Sequence, residues 1–150
     1  MSGSPTDQKK PRNIYEEFVD DFPYLFTAHD VRDNRSDVPE GWRHLVWEMA
    51  QRMTDLVLSS EMTIRISQIK EKWGTLRCYA RCVRPGDMPI EQHELAQLRE
   101  ITDTAAKASE DICLFCGRSP ADLFRFGGWV ATACEKHGAA GDRLPRFVEE

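Results

Sequence analysis

Residues 113–137 read CLFCGRSPADLFRFGGWVATACEKH. Cys113 and Cys116 form a CxxC pair, Cys134 and His137 form a CxxH pair, and seventeen residues lie between the two. Two close pairs of soft ligands across a short loop is the spacing of a tetrahedral zinc site. Two residues between the members of a pair let a tight turn aim both side chains at one point. Gly117 supplies the positive φ such a turn wants. Four protein ligands fill the metal, which points to structural zinc rather than a catalytic ion with an open position for water. A disulfide framework is disfavoured, because no secretory signal is evident and cytosolic thiols stay reduced. A zinc deaminase needs an H-x-E element ahead of its P-C-x-x-C. Here Ile112 precedes Cys113, and His93 is followed by Glu94-Leu95.

Between the pairs, Leu123–Phe126 and Trp129–Thr132 are β-prone runs joined by Gly127-Gly128, a hairpin signal. After Cys134, the run EKHGAAGDRL predicts a brief helix stopped by its glycines. A knuckle, a hairpin and a ligand pair at a helix start is the order of a treble-clef zinc finger.

The chain has 150 residues, 41% of them hydrophobic, enough for one core. Its net charge is −5, which disfavours a whole-protein attraction to nucleic acid or anionic membranes. No apolar run approaches the ~20 residues of a membrane span. MSGSPTDQKKPR has neither the apolar core nor the amphipathic spacing of a targeting segment, so a cytoplasmic protein is expected. Charge is segregated: residues 1–60 carry −4, whereas 62–84 carry +5 from Arg65, Lys70, Lys72, Arg77, Arg81 and Arg84 against Glu71.

Residues 1–12 are polar and read as a disordered arm. Asn13 can cap a short helix with Ile14, Phe18 and Phe22 on its apolar face, ended by Pro23. The charged run 28–40 reads as a surface loop. A second helix starts at Gly41, with a stripe of Trp42, Leu45, Val46, Met49, Met53, Leu56 and Val57. Trp47 lies off that stripe, at an exposed contact or a second packing face.

The run MTIRISQIKEKWGTLRCYARCV, residues 62–83, alternates with period two on both sides of Lys72-Trp73-Gly74 and predicts an antiparallel hairpin. One face is apolar; the other presents Arg65, Arg77 and Arg81 around Tyr79. Cys78 and Cys82 lie about 13 Å apart along a strand, beyond the ~7 Å Cα limit of a disulfide, and read as small core residues. Pro85-Gly86-Asp87 marks a turn, and Pro89 suits the first position of a third helix. Its stripe is Leu98, Ile101, Ala105, Ala108 and Ile112, with His93 and Glu94 expected to be exposed. In the tail, Leu144 and Phe147 could dock on the body. The expected architecture is α+β: a body over 13–112 with an antiparallel hairpin packed by helices, and a zinc-finger unit over 113–150.

Taken together, Tyr24-Leu25-Phe26, the Gly41-Trp42 start, QIKEKWGTLRCY and the CxxCG…GGWxxTxCxxH ending resemble a family of small zinc-binding proteins of tailed bacteriophages and prophages. The resemblance covers residues 22–138; KWGTLRCY stands where that family would carry a KFGGLRFY-like run. It implies an accessory protein whose zinc is held by Cys113, Cys116, Cys134 and His137, and it implies no activity.

No Ser/His/Asp order, P-loop or dinucleotide fingerprint is present. An HNH-type nuclease needs a histidine base and an open metal site, and His137 is assigned as a ligand. The leading expectation is therefore a non-enzymatic protein that binds a host or phage protein. Its contacts would be Arg65, Arg77, Tyr79 and Arg81 on the first hairpin, and Arg125 and Trp129 on the second. The alternative is nucleic-acid binding by the same Arg/Tyr face, with guanidinium groups on phosphates and the ring on a base.

Overall fold

The computed structural model describes residues 9–27 and 35–146. Most of the expected arm, the stretch 28–34 of the expected surface loop, and Phe147 lie outside the described residues. Among those described, the fold is α+β, with two antiparallel sheets and four α-helices.

Helix α1, Tyr15–Asp21, buries Ile14, Phe18 and Phe22 at the spacing the sequence predicts. Asn13 sits one residue outside the cap position. Its Oδ1 accepts the N–H of Tyr15 at 3.0 Å and that of Val38 at 2.9 Å, so one amide ties the helix start to a distant strand-like segment. Pro23 forces a 3-10 turn, Pro23–Leu25, that drives Leu25 into the core. Helix α2, Arg43–Leu58, follows a 3-10 turn at Glu40–Trp42 and buries its predicted stripe, Val57 only partly. Trp47 takes the second packing face. Its ring meets those of Phe18 and Phe22, the Arg43 guanidinium covers it, and its Nε1–H donates to Asp21 at 2.7 Å.

Strands β1, Thr63–Lys72, and β2, Thr75–Val83, form the first hairpin. The register shifts between Ile66 and Gln68, a bulge that period-two reading misses. It has a consequence on each face. Ile69, out of phase with Ile66, returns to the core, and Lys70 moves to the face of Arg77, its cross-strand partner.

The turn is the pair Trp73-Gly74, with φ of 54° and 78°. Positive φ at both central residues is the hairpin turn that matches strand twist, but it favours Asn or Gly rather than Trp. Trp73 is nonetheless 66% exposed. Trp73→Asn should therefore raise stability by about 1 kcal/mol, read as a shift of the urea midpoint at unchanged slope.

Helix α3, Gln92–Ser109, packs on β2 and α2. It starts three residues later than Pro89 suggests, because Glu91 and Glu94 form a reciprocal capping box that fixes the first turn. Glu94, expected at the surface, is buried: its Oε1 accepts the Glu91 N–H at 3.0 Å and faces Arg84 at 3.4 Å. His93 is exposed, as expected.

Strands β3, Asp122–Phe126, and β4, Trp129–Ala133, form the second hairpin, and α4, Glu135–Gly138, follows Cys134. A further strand, β5, Asp142–Leu144, pairs with the free edge of β3 and brings Leu144 opposite Leu123. A single apolar core spans both units, from Phe18 and Trp42 to Phe124 and Ala131. Three contacts knit them. Gly41 N–H donates to the Leu114 carbonyl at 3.0 Å, the Thr132 hydroxyl to that of Gly74 at 2.6 Å, and Ala121 N–H to Asp111 Oδ1 at 3.2 Å.

Residues 9–12, expected to belong to a disordered arm, are held in place. The Arg12 carbonyl accepts the Glu40 N–H at 2.9 Å, and Lys10 Nζ lies 5.4 Å from the centre of the Trp129 ring. Polar composition hides these contacts, because they use backbone and a cation rather than apolar side chains.

Candidate metal centre

The four predicted ligands come from two turns of the same design. In the first, Gly117 N–H donates to the Cys113 carbonyl at 2.8 Å; in the second, Gly138 N–H donates to the Cys134 carbonyl at 2.8 Å. Each turn closes over five residues, 113–117 and 134–138, and brings its two ligand side chains to one point. Gly117 has φ of 80°, and a Cβ there would lie 2.9 Å from the Gly41 carbonyl oxygen. Gly138 is demanded by packing instead, since a Cβ would meet the Phe124 ring at 2.4 Å.

The donor atoms converge. Cys116 Sγ lies 3.7 Å from Cys134 Sγ, and His137 Nδ1 lies 3.7 Å from Cys113 Sγ and 3.2 Å from Cys134 Sγ. All four lie within 4.8 Å of one another. A tetrahedral ion of zinc's size needs edges of about 3.8 Å between sulfurs and about 3.6 Å from sulfur to nitrogen. The residues fit such an ion, with Nδ1 as the histidine donor. Cys113 and Cys134 are buried, His137 is half-buried, and Cys116 faces solvent.

Burial and backbone N–H groups act in opposite directions on two of the sulfurs. Burial pushes the Cys113 thiol up to about 11, against the N–H groups of Cys134, Cys116 and Phe115 that face it. Burial also works on Cys134, but the His137 N–H and ring, with the Cys116 and Cys113 thiols, bring it down to about 6. The other two cysteines have no such partners: burial raises Cys78 to about 12, and raises Cys82 with help from Glu94. Both read as core residues at the sequence level, and both lie on the partly buried face of β2.

Phe115, inside the CxxC turn, stacks on His137 with ring centres 5.3 Å apart and 17° between planes. Its edge meets Trp129 at 6.1 Å. Trp129 thus packs between Phe115 of the CxxC turn and its cross-strand partner Phe126, whose ring centre is 5.1 Å away.

The predicted contact residues are placed unequally. Arg77, Tyr79 and Arg81 are exposed on one face of the first hairpin. Arg65, opposite Arg81, is half-buried and donates to the Tyr24 carbonyl. Lys70, which sequence reasoning left out of this site, lies opposite Arg77 with Nζ 5.9 Å from the centre of the Tyr79 ring. The signal that could have found it is Ile69, an apolar residue out of phase in a strand. Among the described residues, no carboxylate pairs with Lys70, Arg77 or Arg81. Arg125 and Trp129 do not form one surface. Trp129 stands opposite Phe126, and Arg125 opposite Val130, so they occupy opposite faces of their sheet.

No helix among the described residues is long and apolar enough to cross a membrane. Comparison of the chain with protein-family models, with curated proteins and with solved structures finds no match.

Proposed function

We propose that this chain is a zinc-stabilised accessory protein of a phage or prophage that binds an acidic surface of a host or phage protein, without catalysis. The observation that carries the binding reading is the cationic face of the first hairpin. Arg77, Arg81 and Lys70 surround the exposed Tyr79, with Arg65 at the rim, and no carboxylate among the described residues pairs with the first three. Cations with no carboxylate to surrender make a low-cost docking face for opposite charge. The metal in this reading is zinc, held as Cys3His in a treble-clef arrangement. Three thiolates with an imidazole at tetrahedral spacing suit zinc over harder ions. Four protein donors give it a structural role, and the reduced thiols suit the cytoplasm.

Nucleic-acid binding is the second reading, favoured by the aromatic ring set among those cations. One experiment tests both. Tagged protein is captured from bacterial lysate with and without nuclease, beside an Arg77→Glu/Arg81→Glu variant whose two changes lie at exposed positions. The protein-binding reading expects a stoichiometric partner that survives nuclease and falls at least about tenfold in the variant. Partners that vanish with nuclease, together with binding of purified DNA or RNA that weakens steeply with salt, would replace it with the second reading.

A further inference from the structure

A cleft of about 290 Å³ lies between the tip of the first hairpin, the turn of the second and residues 10–11. Trp73 and Trp129 line it, with Asp37 and Glu71 as its carboxylates and Lys10 and Lys72 as its cations. Three features set it apart from an ordinary surface crevice. Trp73 holds a left-handed backbone conformation, unfavourable for a bulky residue, in order to display its indole there. Glu71 is half-buried, with its Oε1 accepting the Gly74 N–H at 2.7 Å, and Asp37 lies at the exposed edge; burial pushes both carboxyls up, and Asp37 adds to the effect on Glu71. Lys10 is placed over the Trp129 ring, and its charge lowers both carboxyls. An aromatic face beside two carboxylates, one of them half-buried, is a cation receptor. The chain itself already places a cation in it.

We propose that this cleft receives one basic side chain, a guanidinium or ammonium carried by a protein partner, and that Lys10 occupies it in the free protein. The proposal is independent of the cationic hairpin face, which lies on other residues. A partner's cation would take the place of Lys10 over Trp129, so electroneutrality in the cleft is kept through the exchange. Trp73 would close over the incoming group from the hairpin side. Phe115 links the cleft to the CxxC turn, touching Trp129 on one side and stacking on His137 on the other.

The test uses the full chain as purified, and follows the four indole Nε1–H resonances by NMR as acetyl-Gly-Arg-Gly-amide is added. Trp42 and Trp47, whose Nε1–H groups are bonded to Ile112 and Asp21, serve as internal references. The expected result is movement of the Trp73 and Trp129 signals, with about tenfold tighter binding in Lys10→Ala, as for any site freed of an internal competitor. Adding Asp37→Asn or Trp73→Asn to Lys10→Ala should then weaken the peptide, while the neutral citrulline peptide should fail to bind. Neither of those two positions is in the apolar core, and unchanged Trp42 and Trp47 signals would verify the fold. Unmoved Trp73 and Trp129 signals in Lys10→Ala would overturn the proposal, as would equal affinity with and without Lys10. Equal binding of the citrulline peptide, or preferential binding of guanosine monophosphate, would overturn it too, the last by assigning the cleft to a planar anion.

Discussion

Stripping the metal with a strong chelator, or replacing Cys116 by serine, should lower the thermal midpoint by about 10–20 °C, equivalent to about 5 kcal/mol or more. The loss should reach beyond residues 113–137. Trp42, fully buried in the body, satisfies its indole N–H on the carbonyl of Ile112, the residue before Cys113, and Gly41 gives its N–H to Leu114. When the ligand turns open, those donors lose their acceptors inside a shared core, and an unsatisfied buried donor costs about 1–3 kcal/mol. Far-ultraviolet circular dichroism and tryptophan fluorescence should therefore melt together. Cys116 is the informative ligand to change because it faces solvent, so the serine removes a metal bond with little loss of packing. A chelated protein with an unchanged midpoint would show that the four residues do not carry the fold.

Glu94→Ala should cost about 3 kcal/mol, measured from the urea midpoint. Glu94 closes the capping box of α3 and faces Arg84, whose side chain is only 12% exposed. The other carboxylates near Arg84 are more distant, Glu91 at 3.7 Å and Glu61 at 3.9 Å, and Arg84 Nε has no hydrogen-bond partner. Removing Glu94 leaves a largely buried guanidinium with weak compensation. Glu94→Gln keeps an acceptor for the Glu91 N–H and removes only the charge, so it should cost about half as much. Arg84→Met combined with Glu94→Leu should recover most of the loss, because a paired exchange of buried charges for apolar groups is close to neutral. If the two single variants and the pair all add independently, the ion pair is not the source of the effect.

The four-residue cluster that could hold a metal was legible from spacing alone. A CxxC and a CxxH need only local turns to aim their donors, and Gly117 at φ 80° shows how local that requirement is. Helices α1 and α2 were legible because their apolar periods match the 3.6 repeat of the backbone, and the second hairpin because its β-prone runs are joined by Gly127-Gly128. The bulge at Ser67 was not, because one inserted residue reverses the phase of every side chain after it. Without it Lys70 would share the face of Ile64 and Ile66; with it Ile69 does. Burial of Glu94 was hidden as well. A glutamate at a helix start is ordinarily solvated, and only the approach of Arg84 from the end of β2 makes its burial affordable.

What the sequence by itself determined, then, is the set of local geometries: which residues can hold a metal, which stripes must be buried, and where the chain turns. Tertiary structure decided every feature that depends on residues far apart in the chain meeting. It brought Lys10, Asp37, Trp73 and Trp129 to one cleft and separated Arg125 from Trp129 across a sheet. It also set Gly41 against the Cys113 and Leu114 backbone, where a Cβ would lie 2.3 Å from a carbonyl oxygen. Periodicity reports the distance along the chain at which side chains share a face. Contact across the fold depends on register and docking, which no local repeat encodes.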